Sequence, residues 1–322
     1  MRAIAAFISL LLLASGAAAQ ASAPSSYPSK SVRLIVPYAP GGTTDALSRL
    51  VAQRLSDSLG QQVIIDNRPG ADTIIGIDAL AKAAPDGYTI GFTSGNSIAV
   101  LPHTRKRLPY DPFKDFVHIA QIADAQFLLA VNSSTPAMNV RELVALARSK
   151  PGKLTYASAS EAGHVTAEMF KLATGTDIVH VPYKGGAPAT TDLLSGQVDM
   201  MFTAFGNAIP HVRAGKLRAL AVTGGRRAAS LPDVPTLREA GIKDFESVGL
   251  YGISGPHGTP QAIVKRLNEE INAVLKMPDT AAKFLAQGVD PMGGTPEEYI
   301  GALRALSEQY RSVLHRIGYQ PE

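Results

Sequence analysis

The 322-residue chain contains no cysteine. This absence excludes a disulfide framework, a thiolate metal site and a lipid anchor on a cysteine at a cleavage site. Long hydrophobic runs are also scarce, because the chain has one such run, IAAFISLLLLA, soon after Arg2. No other segment is long and apolar enough to cross a membrane.

The motifs of several enzyme classes are missing as well. The chain has no G-x-S-x-G, no phosphate-loop signature, no G-x-G-x-x-G after the first strand and no H-E-x-x-H. His164 and Glu168 lie four residues apart on one predicted helix face, a spacing that suits a metal, but no third ligand follows. We therefore expect no catalytic residue, no metal and no cofactor, and we predict that the protein is not an enzyme.

The N-terminal apolar run has the length of a signal-peptide core and is too short to span a bilayer. Small residues follow it, and Ala17 to Ala19 form an A-x-A cleavage site. Residues 1–19 are therefore predicted to be a cleaved Sec-type signal peptide, with a short membrane anchor as the alternative. Because no cysteine is available for lipid attachment, the predicted location is the periplasm and not a lipoprotein anchor.

The net charge of +4 is spread along the chain, and its one basic cluster is HTRKR, from His103 to Arg107. This cluster has no interleaved aromatic residues and no helical stripe, so it predicts a solvated loop and no nucleic-acid partner. The chain that remains after cleavage is longer than one hydrophobic core usually serves, so we expect two lobes.

Short β-branched runs alternate with helical periodicities. VRLIVPY, QVIIDN and TIGFTS are typical of strands, and Leu47, Val51, Leu55 and Leu59 recur at the spacing of a helix face that ends at Gly60. Strands separated by helices of this length predict a parallel sheet that is covered on both faces. The predicted fold class is α/β.

The alternation restarts at QFLLAVNSS and continues to LRALAVTG. A turn-rich stretch, LYGISGPHGTP, then leads into two long amphipathic helices, Pro260–Leu275 and Pro296–Ile317. We therefore predict that lobe 1 is discontinuous, comprising residues 27–124 plus 224–322, and that lobe 2 is inserted between them as residues 125–223.

Two strand-to-helix junctions combine small residues with hydroxyl groups. In PYAPGGTTD, glycines would let a ligand approach bare N–H groups at a helix N-terminus, with Thr43 or Thr44 as the helix cap and Asp45 in a structural role. The alternative for this stretch is a tight turn before a capped helix. TYASASEAGHVTAEMF repeats the arrangement in the other lobe, so the two loops would grip the two ends of a small carboxylate-bearing solute.

The chain resembles the periplasmic solute receptors of tripartite tricarboxylate transporters, the Bug or TctC-like family. The resemblance rests on IVPYAPGGTTD, VIIDNRPGA, APDGYTIGF, LPYDPFKDF, HVPYKGGAPATTDLLSGQVDMMF, LPDVPTLREAGI and GPHGTPQAIVKRLN, which run in family order over nearly all of the mature chain. It implies a type II periplasmic-binding-protein fold, with two α/β lobes, a hinge and an interlobe ligand cleft. It also implies a solute held by the loops Tyr38 to Thr44 and Tyr156 to Ser160.

The predicted ligand-binding residues come from these loops and from neighbouring strand ends. In the first lobe they are Tyr38, Ala39, Gly41, Gly42, Thr43, Ser94 and Asn96. In the second lobe they are Ser158, Ala159, Ser160, Glu161, Tyr183, Thr203 and Phe205.

Four positions depart from the family pattern. Glu161 stands where small residues are usual, Asp72 and Thr73 stand where a Gly-Gly pair is common, and Leu250 replaces an aromatic residue. A carboxylate facing the cleft would repel a dianion and favour a zwitterion, an amide or a cationic group. The alternative is that each acidic residue is an exposed charge at a loop edge.

The predicted function is that of a monomeric receptor that closes on a small organic carboxylate, zwitterion or amide. The resemblance implies small and large membrane permease subunits as the partners that receive the solute. One alternative is a receptor of the same fold that signals to a sensor protein, and another is a periplasmic enzyme that uses the same cleft.

Overall fold

The computed structural model describes residues 27–243 and 245–321 and has the predicted α/β composition. The predicted signal peptide lies outside the described residues. Within them the strands are β1 (Val32–Val36), β2 (Val63–Asn67), β3 (Thr89–Ser94), β4 (Phe116–Asn132), β5 (Thr155–Ser158), β6 (Val179–Pro182), β7 (Met200–Ala204), β8 (Leu217–Val222), β9 (Val248–Pro256) and β10 (Val289–Pro291). The helices are α1 (Thr43–Leu59), α2 (Ile74–Ala81), α3 (Leu101–Thr104), α4 (Val140–Ser149), α5 (Glu161–Thr174), α6 (Gly186–Ser195), α7 (Phe205–Arg213), α8 (Gln261–Leu275), α9 (Pro278–Ala286) and α10 (Pro296–Arg316).

One long strand, β4, belongs to both halves of the sheet. Residues 116–126 of β4 pair with β9 and β10, in a half whose strand order is β2-β1-β3-β9-β4-β10. From Phe127 onward the same strand pairs with β7 on one edge and β8 on the other, and β7 leads to β5 and β6. The two halves of the sheet therefore meet between Gln126 and Phe127.

The sheet is mixed, whereas the alternating pattern predicted a parallel one. β1, β2 and β3 are parallel to one another, as are β5, β6 and β7, but β4 and β9 are antiparallel to their neighbours. The stretch LYGISGPHGTP was predicted to be turn-rich, yet most of it lies in β9. Its glycines are tolerated there because close neighbours fill the space of absent side chains, as the Tyr299 ring does beside Gly252.

Each half of the sheet carries its own buried clusters. Leu34, Leu47 and Leu55 belong to the cluster under α1 and α8, which buries the predicted Leu47-to-Leu59 face. Phe170 and Phe202 lie in a cluster of the second half. The packing of α5 and α10 against each other joins the two halves, because Ala162 and Val165 share a cluster with residues of α10.

The lobe bounds remain a prediction, but the packing of the segment after residue 223 concerns the point at which the chain leaves lobe 2. Leu237 and Phe245 lie in a cluster of the second half of the sheet, together with Phe170 and Phe202. Their packing favours a return to the first lobe near residue 246 instead of residue 224. None of the helices in the described residues is long and apolar enough to cross a membrane.

Helix α10 begins with a capping box. The Thr295 hydroxyl accepts a hydrogen bond from the Glu298 N–H at 3.1 Å, and the Glu298 carboxylate accepts one from the Thr295 N–H at 2.8 Å. Thr295→Ala should lower the free energy of unfolding by about 1 kcal/mol, because it leaves a helix N–H without its cap. Urea denaturation measures this change. Thr295→Ser keeps the hydroxyl and is the control, so equal losses in both variants would contradict the prediction.

Candidate functional site

The β1–α1 loop exposes backbone at the N-terminus of α1. Gly42 is the N-cap residue and no side chain caps the helix, so the expected cap by Thr43 or Thr44 is wrong. Gly41 has a φ of 91°, which favours glycine, and an added Cβ at Gly41 or Gly42 would meet nothing within 4 Å. The loop therefore presents open space beside the positive end of the helix dipole.

The Asp45 side chain forms hydrogen bonds with this loop and with neighbouring residues, as its predicted structural role requires. Its carboxylate accepts hydrogen bonds from the Gly41 N–H at 3.0 Å, from Arg49 at 2.9 Å and from Asn67 at 2.9 Å. Burial opposes ionisation, but these hydrogen bonds hold the pKa of Asp45 below its usual value. An ionised carboxylate thus holds the backbone N–H of Gly41 in place.

Tyr38 and Ser94 meet at the ends of adjacent strands. The Tyr38 hydroxyl donates to Ser94 Oγ at 2.9 Å, and Ser94 Oγ lies 3.2 Å from Ser97 Oγ. Burial is the main cause of a Tyr38 pKa above its ordinary value, so the phenol remains a neutral donor. These hydroxyls form a chain behind the glycine loop.

The N-terminus of α5 contacts the first half of the molecule directly. Asn96 Oδ1 accepts a hydrogen bond from the Ala162 N–H at 3.3 Å, and Arg105 Nη2 lies 3.2 Å from Glu161 Oε1. Burial raises the pKa of the Asp72 carboxyl above its usual value, whereas the nearby Asn96 side chain, Arg105 and the Glu161 backbone act in the opposite direction. Asn96 and Glu161, predicted separately in two lobes, are thus brought together.

The two serine hydroxyls of the β5–α5 loop have different hydrogen-bond partners. Ser160 is the N-cap of α5, and its side chain accepts a hydrogen bond from the Gly163 N–H. Ser158 is buried, and its Oγ lies 2.7 Å from His180 Nε2. Burial, aided by the neighbouring His164, lowers the pKa of His180 to about 4, so the imidazole is neutral at pH 7. A proton on Nε2 makes Ser158 free to donate to another group, whereas a proton on Nδ1 makes the serine donate to His180.

The start of α7 approaches the first half of the molecule at two points. A Cβ built on Gly206 would lie 2.2 Å from Thr43 Oγ1, and one on Gly288 would lie 2.2 Å from Phe205 Cβ. Thr43 and Phe205 therefore both lie where the two halves of the molecule approach each other, which we call the seam. Thr203 is buried in β7, two residues before Phe205. No side chain caps the N-terminus of α7.

The other predicted residues are less directly placed in the seam. Tyr183 donates to Asp192 Oδ2 at 2.6 Å, so its hydroxyl hydrogen is already used within its own half of the molecule. Ala39 is exposed and Ala159 is half-buried, and each has only backbone polar groups to offer. All fourteen residues remain predicted ligand contacts.

Two acidic side chains face each other where the sheet halves meet. Asp124 in β4 is directly opposite Asp290 in β10, and Arg226 lies 3.2 Å from Asp290. Burial, with Asp290 as a second cause, raises the pKa of Asp124 to about 6. A negative charge at Asp124 is therefore unfavourable at neutral pH.

Two surface cavities lie outside these loops. One of about 480 Å³ is lined by residues of α1 and β2, including Arg49 and Ile65. The other, of about 220 Å³, lies between α1 and α9 and is lined by Leu47 and Gln287, among others. None of the fourteen predicted residues lines either cavity.

The similarity to known proteins is extensive. Residues 47–318 match the model of the TctC family, described as tripartite tricarboxylate transporter family receptor. The chain belongs to this family. The Bordetella pertussis protein BugT is 34% identical over 316 residues, which cover 97% of this chain and 97% of BugT.

Solved structures confirm the predicted type II periplasmic-binding-protein fold with two α/β lobes. R. palustris Rpa4515 with adipate is 35% identical, has a TM-score of 0.86 and is aligned over 92% of this chain and 100% of that one. The periplasmic binding protein BugD is 31% identical with a TM-score of 0.82, over 92% and 100% of the two chains. MatC from Rhodopseudomonas palustris with bound malate is 29% identical with a TM-score of 0.80, over 89% and 100%. Membership of this receptor family supports a periplasmic solute-binding role for the protein.

Three residues at the seam were missed or misjudged from the sequence. Arg105 belongs to HTRKR, which predicted a solvated loop, but its side chain is only 23% exposed and pairs with Glu161. His180 lies in β6, and no local sequence pattern indicated that its Nε2 would contact Ser158 Oγ. No sequence pattern indicated Gly206 as a residue of the seam, because its importance lies in its close approach to Thr43, which is distant in the sequence.

His164 and Glu168 make hydrogen bonds within the second half of the molecule. His164 Nδ1 and Glu168 Oε1 each lie 2.7 Å from the Tyr156 hydroxyl, and Lys171 Nζ lies 2.7 Å from Glu168. Over residues 27–243 and 245–321, no group of three or more histidine or acidic side chains is arranged to hold a metal.

Asp124→Asn should stabilise the protein above pH 6 but not near pH 4. Because the folded-state pKa of Asp124 is about 6, above its unfolded value, its favourable contribution is present below about pH 4 and is lost as the pH rises through 6. After allowance for partial solvent screening, we expect a gain of about 1–2 kcal/mol at pH 8.

Urea denaturation of both proteins at pH 4.5 and pH 8 measures this gain. Asp57→Asn, on an exposed position of α1, is the control for removing a carboxylate elsewhere. The same gain at both pH values would show that Asp124 does not carry the unfavourable charge.

Proposed function

We propose that this family receptor closes its two lobes on a small organic carboxylate in the periplasm. Following closure, the protein delivers the solute to the small and large membrane subunits of a tripartite tricarboxylate-type permease. In this proposal the receptor acts as a monomer, needs no metal or cofactor and does not chemically alter the solute.

The observation that carries the proposal is the uncapped N-terminus of α1. Gly41 and Gly42 leave open space there, and Thr43 lies against Gly206 of the other lobe. An anion at a helix N-terminus gains about 0.3–1 kcal/mol at an exposed site, and up to about 2 kcal/mol where water is partly excluded. A carboxylate at this point would therefore be held more strongly once the second lobe covers it.

Similar proteins support the chemical class. The solved structures of Rpa4515 with adipate and of MatC with malate contain small organic carboxylates. Both proteins share this fold over nearly the whole chain. The same class of solute suits a loop that offers backbone N–H groups and hydroxyls instead of lysine or arginine.

Solute binding and lobe closure are linked by their free energies. A solute that contacts both lobes binds the closed form more tightly than the open form, and only this difference can shift the equilibrium between them. The contacts Thr43 to Gly206 and Phe205 to Gly288 are those that opening would separate. Closure thereby presents a changed surface to the membrane subunits.

Gly42→Val should weaken solute binding by more than about a hundredfold, because its side chain would fill the space in which the carboxylate meets the backbone. The fold should tolerate the change, since Gly42 has a φ of −86° and an added Cβ meets no atom within 4 Å. The solute would first be found by a thermal-shift screen of mono-, di- and tricarboxylates, amino acids and amides. Isothermal titration calorimetry with the hit would then measure the affinity of each variant.

Gly301→Val is the matched control, because Gly301 lies in α10 and its added Cβ also meets nothing within 4 Å. Wild-type affinity in Gly42→Val, or an equal loss of affinity in both variants, would refute the placement of the carboxylate. A thermal-shift screen without any carboxylate hit would refute the proposed class of solute.

A further inference from the structure

Two segments of the chain connect the two halves of the sheet, and they diverge at one point. β4 runs directly from the first half into the second. The chain returns to the first half between Phe245, which packs in the second half, and the start of β9 at Val248. Gln126 and Val248 are the last residues at which β4 and β9 pair with each other. Beyond this pair, the end of β8 replaces β9 as the neighbour of β4.

Thr223, the residue after β8, lies between the diverging segments and bonds to both. Its N–H donates to the Phe127 C=O at 3.0 Å, and its hydroxyl accepts from the Phe127 N–H at 2.8 Å. Its C=O accepts from the Ser247 N–H at 3.0 Å, and its hydroxyl donates to the Ser247 C=O at 2.5 Å. Each connecting segment is therefore held to the second half by two hydrogen bonds, one of which comes from the threonine side chain.

The hydroxyl of Thr223 replaces a backbone carbonyl in the sheet. Two residues that form a hydrogen-bonded pair in an antiparallel ladder exchange both N–H···O=C bonds. Here the C=O of Thr223 accepts from Ser247, so the side-chain oxygen accepts from the Phe127 N–H in its place. A hydroxyl can donate and accept at once, and a single side chain thus completes both contacts. Thr223 is fully buried, so these backbone groups depend on it for a partner.

Ser247 is also attached to helix α5. Its Oγ lies 2.7 Å from Thr166 Oγ1. Thr166 donates its own hydroxyl hydrogen to the Ala162 C=O at 2.8 Å, so the serine is the donor of the serine–threonine pair. Both hydroxyl residues are buried. The returning segment is therefore bonded to the second half as far as Ser247, and from Val248 onward it pairs in the first half.

The number of hydrogen bonds at each contact limits the motion that is possible there. One hydrogen bond leaves rotation about its own axis, whereas two bonds between the same residues fix their relative orientation. Because Thr223 fixes both segments, bending near this point is confined to the adjacent pair, Gln126 and Val248. These two residues face each other across the ladder, so both segments bend about one common axis.

We propose that Thr223 is the positioning residue of the hinge, and that its hydroxyl restricts the two lobes to movement about one axis through Gln126 and Val248. This inference rests on the proposed function, because it specifies how the lobes close. Movement about one axis brings Thr43 to the same place beside Gly206 in each closure. A receptor with one closing path also has fewer open arrangements to lose when it binds a solute.

Distances between spin labels test the proposal in the solute-free protein. Because the chain has no cysteine, pairs of introduced cysteines can be labelled without background. Asp57→Cys with Met138→Cys, and Lys265→Cys with Leu172→Cys, each place one label at an exposed position of either lobe. Double electron–electron resonance measures the two distance distributions. Thr223→Val keeps the shape of the side chain without its hydroxyl, so both distributions should become at least about twofold broader, since one hydrogen bond instead of two then holds each segment.

Three further variants serve as controls. Thr223→Ser keeps the hydroxyl and should retain the wild-type widths. Thr174→Val removes another buried threonine hydroxyl, which donates to the Phe170 C=O in α5, and it is the matched control for a loss of stability. Ser247→Ala releases the returning segment from Thr166 alone, so it should broaden both distributions to a smaller extent, and it replaces Thr223→Val if that variant does not fold.

Wild-type widths in Thr223→Val, or in Ser247→Ala if only that variant folds, would overturn the inference. Equal broadening in Thr174→Val would overturn it too, because the effect would then follow from lost stability.

Added adipate or malate distinguishes this inference from the proposed function. Either carboxylate should shift the distances of the labelled wild-type protein if the lobes close on it. A shift in the wild-type protein without broadening in Thr223→Val would support the proposed function and overturn the inference. Broadening in Thr223→Val without a shift by either carboxylate would support the inference and count against closure on these solutes.

Discussion

Strand β4 is the element on which the rest of the structure depends. Every buried N–H and C=O of a strand needs a partner, and β4 finds these partners in one half of the sheet up to Gln126 and in the other from Phe127 onward. The loops that could hold a solute are attached to strands on either side of this changeover. Residue 126, close to the facing pair Asp124 and Asp290, is therefore one of the places where the chain crosses between the two halves.

Most of the helices and strands could be predicted because their signals are local. The apolar face from Leu47 to Leu59 predicted α1, and Gly60 ends that helix with a φ of 68°. β9 could not be recognised, because its glycines are unfavourable for a strand until the ring of Tyr299 fills the space beside Gly252. The mixed direction of the sheet was also missed, because it depends on where β9 and β4 lie after the chain has folded.

The candidate site was predictable as a set of loops but not as a set of contacts. Glycines and hydroxyls at strand ends indicated both the β1–α1 and the β5–α5 loops. The ion pair of Arg105 with Glu161 and the hydrogen bond of Asn96 with Ala162 join residues far apart in sequence, and no local pattern specifies such pairs. Asp72 stood out only as a departure from the family pattern, and the burial that raises the pKa of its carboxyl became visible in three dimensions.

The close approach of Gly206 to Thr43 has an electrostatic consequence. Thr43 begins α1 and Gly206 follows the first residue of α7, so the amino ends of two helices, neither capped by a side chain, lie side by side. Each end carries roughly half a positive charge, and two like poles repel. Under the proposed function, repulsion between these like poles would favour separation of the lobes in the empty receptor, and a single negative charge placed between them would turn that repulsion into attraction.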